Sequence, residues 1–159
     1  MVLLCYDASP TAKRAIPAAR AVLGQKRAVV LHVWQPPSEF LAPDWFGGMS
    51  TPVGPPVAQL EALAVERAER VAQDGAELAR AAGFTAESRA EPSVGRVWRT
   101  IIDVAHDTEA DVIVVGARGL STMGSVLLGS VSNAVVHHSR IPVLVIAPPD
   151  TTDQARGAS

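Results

Sequence analysis

Five short β-like runs, separated by segments whose apolar residues recur at three and four positions, constrain this chain more than any other feature. Strand-length runs alternating with helix-period segments describe strands joined by helical crossovers, and such crossovers build a parallel sheet covered on both faces. The runs are Val2–Tyr6, Ala28–Trp34, Thr85–Ala90, Asp111–Gly116 and Pro142–Ala147. The first and fourth are almost wholly apolar, as strands buried on both faces must be, and belong at the centre. Thr85–Ala90 alternates apolar and polar residues and belongs at an edge. Parallel crossovers are right-handed almost without exception. The simplest arrangement is a doubly wound, five-stranded parallel α/β sheet of order 3-2-1-4-5 with four helices.

The helix signals are local. Ser9 followed by Pro10 reads as an N-cap and first helical position. The helix it opens should reach Leu23, stop at Gly24 and kink at Pro17. Leu60, Leu63, Ala64, Ala68, Val71, Leu78 and Ala82 mark a long helix over Val57–Ala82, with Glu66 and Arg70 paired on its wet face. Ser93 is expected to cap a third helix carrying Val94, Val97, Trp98, Ile101 and Ala105 on one face. A fourth should run from Gly129 to His138. Between the second strand and the second helix, Gln35–Pro56 holds six prolines together with Phe40, Trp45, Phe46 and Met49. Prolines forbid regular structure while aromatics seek burial, so a mobile flap or partner-docking segment is expected there.

A chain of 159 residues, 48% hydrophobic, can bury one substantial core,. One domain over 1–148 and a disordered polar tail over 149–159 are expected. The net charge is −2 and basic residues are scattered, which argues against nucleic acid or an anionic membrane as partner. The lone cysteine, Cys5, lies in an apolar run and reads as a buried, inert thiol. No run approaches the roughly 18 apolar residues that span a bilayer. The first residues lack the marks of a signal peptide, so a cytoplasmic location is expected.

Ligands of open parallel sheets bind beyond the carboxyl ends of the strands, where the strand order reverses. Here that place lies between the first and fourth strands. Asp7–Ser9 and the segment after Val115 occupy it. The latter reads GARGLSTMGSVLLGSVSNAV, with Gly116, Gly119, Gly124 and Gly129 spaced among serines. Glycine lets backbone amides come close to a ligand. Gly129-Ser130 opens a helix whose unpaired N–H groups and dipole favour an anion, and the hydroxyls of Ser130 and Ser132 add polar groups. No G-x4-G-K-[ST] loop and no lysine accompanies the glycines, which excludes a P-loop NTPase. No G-x-G-x-x-G follows the first strand. A phosphate-accepting receiver would need several carboxylates and a lysine where Asp7 stands alone. His32 reads as packed, His137 and His138 as complements to a helix dipole, and Asp103 and Asp107 as solvated; no metal site is expected among them.

Gly116-x2-Gly119-x9-Gly129-Ser130 resembles the G-x2-G-x9-G-[ST] signature of ATP-binding universal stress proteins. Asp7, the run Leu31-His32-Val33 and the closing Ser139–Ile146 are similar to that family as well, and the resemblance spans Met1–Pro148. It implies a Rossmann-like, adenine nucleotide alpha hydrolase-like fold that binds ATP, with Mg2+. It places Asp7 and Ala8 near the ribose or a phosphate-bound metal and the backbone of Val33 on the adenine edge. Val115, Gly116, Arg118, Gly119, Gly129, Ser130, Val131 and Ser132 then surround the ribose and phosphates. Ala8 stands where many relatives have glycine. Arg118 either pairs with phosphate or points into solvent. The implied function is an ATP-binding stress-response or regulatory protein, at most a slow ATPase with no catalytic residue. Its implied partner is a second copy, paired through Pro142–Ala147, a run apolar on both faces at a sheet edge. An ATP-using enzyme of a related adenylating fold is the alternative, though no H-x-G-H-type motif or lysine-bearing loop supports it. A nucleotide-free interaction protein is the other.

Overall fold

The computed structural model describes residues 1–39, 56–93, 95–117 and 128–147. Its strands are β1 (Val2–Cys5), β2 (Arg27–Trp34), β3 (Thr85–Pro92), β4 (Val112–Gly116) and β5 (Val143–Ile146). They form one sheet of order β3-β2-β1-β4-β5, parallel throughout. This is the expected α/β arrangement. Four helices join the strands: α1 (Pro10–Leu23), α2 (Val57–Ala81), α3 (Val97–Asp107) and α4 (Ser130–His138). A short 3-10 turn at Pro37–Glu39 has no signal in the apolar pattern.

Successive residues of β1 point to opposite faces, and both faces are covered, which is why the run is continuously apolar. Val2, Leu4 and Tyr6 pack with Ile16 and Ala19 of α1 and Ala76 and Ala79 of α2. Leu3, Leu31, Ile113 and Val115 pack with Ile101, Val104 and Ala105 of α3 and Val135 of α4. Along α2 the buried residues are Ala68, Ala72, Gly75, Ala76 and Ala79, whereas Leu63 and Leu78 are exposed. Small side chains thus face the sheet, and the helix comes close to it. At Gly75 a Cβ would lie 2.6 Å from Cδ1 of Tyr6 and 2.8 Å from Cγ1 of Val30.

Ser9 caps α1, its hydroxyl accepting the Ala12 amide at 3.1 Å, and Gly24 ends the helix with φ 71. The helix runs on through Pro17 as one element. Ser93 does not cap α3. β3 extends to Pro92, and the Ser93 amide donates to the Trp34 carbonyl at 2.7 Å, prolonging the ladder. Gly95, with φ 82, then turns the chain, and Arg96 takes the N-cap without a side-chain bond. The Ser93 hydroxyl is buried with no hydrogen-bond partner among the described residues. Of the flap expected over Gln35–Pro56, residues 40–55 lie outside the described residues, as do Val94 and the tail expected over 149–159.

Candidate functional site at the strand-order reversal

β1 and β4 are neighbours whose crossovers leave in opposite directions, so their carboxyl ends open a crevice,. On the β1 side the chain turns at Asp7–Ser9. The Ser9 amide donates to Asp7 Oδ1 at 3.0 Å, and Oδ2 has no protein partner among the described residues. Ala8 has φ 62, a left-handed conformation that costs a residue with a Cβ about 1 kcal/mol or more. The turn is one that glycine makes without strain, held here by an alanine.

On the β4 side, Gly116 ends the strand. A Cβ on it would meet Cγ2 of Thr11 at 2.9 Å, so the first turn of α1 lies against the end of β4. Gly116 is therefore small for packing, whatever it does for a ligand. The buried Ser132 hydroxyl donates to the Gly116 carbonyl at 2.6 Å. The Gly129 amide donates to the Ala117 carbonyl at 2.6 Å, and the Ala117 amide to the Ile146 carbonyl at 2.8 Å. These bonds fix the start of α4 beside the end of β4. They also use the Gly129 N–H and the Ser132 hydroxyl proton, so neither donates to a ligand in this arrangement. Gly129 is an N-cap with no side-chain capping bond. The amides of Ser130, Val131 and Ser132, the first turn of α4, have no partner among the described residues,. Val131 is exposed beside them, while the Val115 side chain lies in the core.

β2 supplies the third wall. The Leu31 carbonyl accepts the Tyr6 amide at 2.8 Å. A parallel ladder continued by one step would have the Val33 amide donate to the Tyr6 carbonyl. It does not. The Tyr6 carbonyl instead accepts Nδ1–H of His32 at 2.9 Å; a carbonyl can only accept, which assigns the proton to Nδ1. The Val33 N–H and C=O, turned toward the departing β1 chain, have no hydrogen bond among the described residues. His32 is packed, as expected, but it also determines which groups Val33 leaves open.

Arg118 and Gly119 lie outside the described residues. Thr11, His32 and Ala117 help shape the crevice without being singled out for it by the glycine spacing; they become visible only once α1, β2 and β4 are side by side. Cys5 is half-buried as a residue, and desolvation of its thiol raises it to about 12, with the Asp7 charge adding to the effect. Burial also raises Tyr6, with Asp74 and Asp7 contributing. Among the described residues no cluster of three histidine, cysteine or acidic side chains could hold a metal ion. His138 stacks on Trp98, ring centres 4.3 Å apart, joining α4 to α3. An open groove of about 560 Å3 between α2 and β3, lined by Glu66, Glu69, Arg70, Gln73 and Ser88, shares no residue with the crevice.

A parallel sheet with uncapped helix amides and an acidic turn at its switch point defines a class: doubly wound α/β proteins with a ligand crevice at the carboxyl ends of the strands. The universal stress protein family model matches residues 1–147, and the chain belongs to that family. A universal stress protein of Thermus aquaticus, from the 3' region of a QAH/OAS sulfhydrylase, is 34% identical over 151 residues, covering 91% of this chain and 96% of the relative. The solved structure of MJ0577, a universal stress protein of Methanocaldococcus jannaschii, superposes with TM-score 0.71 at 23% identity, covering 94% of this chain and 96% of that one. A universal stress protein solved in complex with cAMP gives TM-score 0.55 at 25% identity, over 92% and 94% of the two chains. An Arabidopsis thaliana member solved with AMP bound gives 0.60 at 19% identity, over 95% and 93%. Among the described residues no helix is long and apolar enough to cross a membrane.

Proposed function

We propose that this chain binds an adenine nucleotide, ATP with Mg2+, in the crevice between β1 and β4. The observation that carries the reading is the set of unpaired amides at the first turn of α4, beside the Asp7 turn at the point where the strand order reverses. The nucleotides held by family members of the same fold support it. In this reading the Ser130, Val131 and Ser132 amides take the phosphates, with the helix dipole behind them. The free Oδ2 of Asp7 meets the ribose or the Mg2+. A single carboxylate suits that ion, which keeps several waters and needs few protein ligands. The Val33 N–H and C=O present one donor and one acceptor, the complement of adenine N1 and its exocyclic amine. Gly116 brings backbone close to the ribose and phosphates, and Ala8 and Val115 shape the floor. The glycine signature assigns Gly119 and Arg118, both outside the described residues, to the phosphate side, where Arg118 either pairs with a phosphate oxygen or faces solvent.

The protein acts in this reading as a stress-response regulator in the cytoplasm and as a homodimer paired through β5. Asp7, Arg118 and serine hydroxyls are too few for the clamped metal, positioned nucleophile and cationic stabilisation that fast phosphoryl transfer requires. Turnover should stay below roughly one per second, the low end for dedicated kinases.

Gly129→Val tests the site cleanly. Gly129 has φ −58 and ψ 153, which any residue adopts, so the fold should tolerate the change. Calorimetric titration with Mg-ATP should show binding to the parent and none to Gly129→Val, at an unchanged apo melting temperature. Equal binding by both would remove the phosphate from this loop.

A further inference from the structure

We infer that His32 is a positioning residue that keeps the base-reading edge of β2 open by occupying the carbonyl that would otherwise close it. The inference rests on the nucleotide reading above and assigns a role to a side chain that contacts no ligand.

The argument begins with register. Cys5 pairs with Leu31, and the Tyr6 amide donates to the Leu31 carbonyl. The next rung would join the Val33 amide to the Tyr6 carbonyl, since a parallel ladder advances two residues per rung on each strand. The carbonyl of Tyr6, the residue just after β1, is the last acceptor facing that amide before Asp7–Ser9 turns away through Ala8 at φ 62. It is held by Nδ1 of His32 at 2.9 Å. The imidazole thus satisfies a buried-end carbonyl from the side chain of the residue directly preceding Val33, and the Val33 amide is left without a partner among the described residues. A side chain without a donor at position 32 would leave that carbonyl empty beside an empty amide. The two would then close the missing rung, because unpaired backbone groups at a strand end pair where they can.

The consequence is selective. An open Val33 offers N–H and C=O side by side, which match the N1 acceptor and amine donor of adenine. A hypoxanthine base offers N1–H and a carbonyl at the same places and meets donor with donor and acceptor with acceptor. Sites built to hydrogen-bond a polar edge discriminate strongly against a base that cannot return the bonds. His32 therefore governs the preference for adenine as well as affinity.

The test compares the parent with His32→Leu, which removes the donor, and His32→Asn, whose side-chain amide puts an N–H near the place of Nδ1. AMP and IMP are the probes, titrated by calorimetry, and backbone amide exchange at Val33 is followed by NMR without ligand. In the parent and in His32→Asn, the Val33 amide should exchange freely and AMP should bind well ahead of IMP. In His32→Leu, the Val33 amide should become protected, AMP affinity should fall roughly tenfold or more, about the cost of one lost hydrogen bond, and the AMP-to-IMP ratio should drop toward unity. A protected Val33 amide in the ligand-free parent overturns the inference, and this measurement needs no variant. AMP binding and selectivity unchanged in His32→Leu overturn it while leaving the nucleotide reading intact. A parent that binds neither AMP nor ATP overturns the nucleotide reading instead, and the exchange data still decide whether His32 holds Val33 open.

Discussion

Ala8 holds a conformation, φ 62, that its methyl group disfavours, and the first turn of the crevice depends on it. Glycine adopts that conformation at no steric cost but loses more entropy on folding, so the two effects oppose each other. The steric term is the larger at a left-handed position. Ala8→Gly should stabilise the protein by about 0.5–1 kcal/mol, read as a raised midpoint in urea at unchanged slope; a lowered midpoint would show that the turn is not strained. Three residues earlier, burial holds the Cys5 thiol at about 12. A folded-state value above the ordinary 9 means the native state keeps a proton that the unfolded chain gives up. The corresponding stability is intact below pH 9 and is lost as pH rises from 9 toward 12. The parent should therefore lose melting temperature more steeply over that window than Cys5→Ala. At pH 8 the native thiol should be inert to a chromogenic disulfide until denaturant is added; prompt labelling of the folded protein would contradict the burial.

Elements carry a different kind of constraint. Gly75 lies in the middle of α2, where glycine is a poor helix former, because a Cβ would come within 2.6 Å of the Tyr6 ring. Gly75→Ala gains helix propensity of about 1 kcal/mol but must push α2 off the sheet or move Tyr6, and overpacking of this kind costs about 1–3 kcal/mol. Net destabilisation in thermal melts is expected, and a raised melting temperature would mean that α2 rides freely over β1 and β2. The same helix shows what the sequence pattern could and could not deliver. Its period identified α2 to within a residue of its ends, yet the leucines that helped to mark it, Leu63 and Leu78, are exposed while alanines face the sheet. Strand order was legible because burial on two faces leaves a continuous apolar run in β1 and β4. Ser93 was misassigned because a serine before a helix looks the same whether it caps the helix or ends the preceding ladder; Gly95 decides between them. At the site, the glycine spacing located α4's first turn, but nothing local in the sequence announces that Ser132 donates its proton to Gly116 or that His32 takes the Tyr6 carbonyl. Those bonds join residues 16 and 26 positions apart and exist only in the assembled sheet.

The whole molecule has two sheet edges, and they are treated differently. An edge strand offers unpaired backbone groups to any other chain, and proteins blunt it with charge and proline. β3 is blunted: Glu87, Arg89, Glu91 and Pro92 lie along it, and Arg89 is held by Glu91 at 2.6 Å and Asp107 at 3.4 Å. β5 carries Val143, Leu144, Val145 and Ile146 with no charge among them, and all four are only half-buried. Leu144 and Ile146 pack on the core beneath α1 and α2, Val143 and Val145 on the core beneath α3 and α4, so the strand is apolar on both faces and, among the described residues, bare on its outer edge. Beside it α4 leaves Val136 exposed. An unguarded apolar edge next to an exposed valine is what a second copy would cover, and a two-fold axis through the edge would pair β5 with itself antiparallel. Sedimentation at micromolar concentration should then show one dimeric species. Val143→Lys and Val145→Lys should each dissociate it, because two copies of the introduced ammonium would be brought together across a self-pairing edge. Far-UV circular dichroism separates dissociation from unfolding, since a folded monomer keeps its helix signal. A parent that sediments as a monomer, or lysine variants that sediment as dimers like the parent, would leave β5 unpaired in solution, and the missing charge on that edge would then need another occupant.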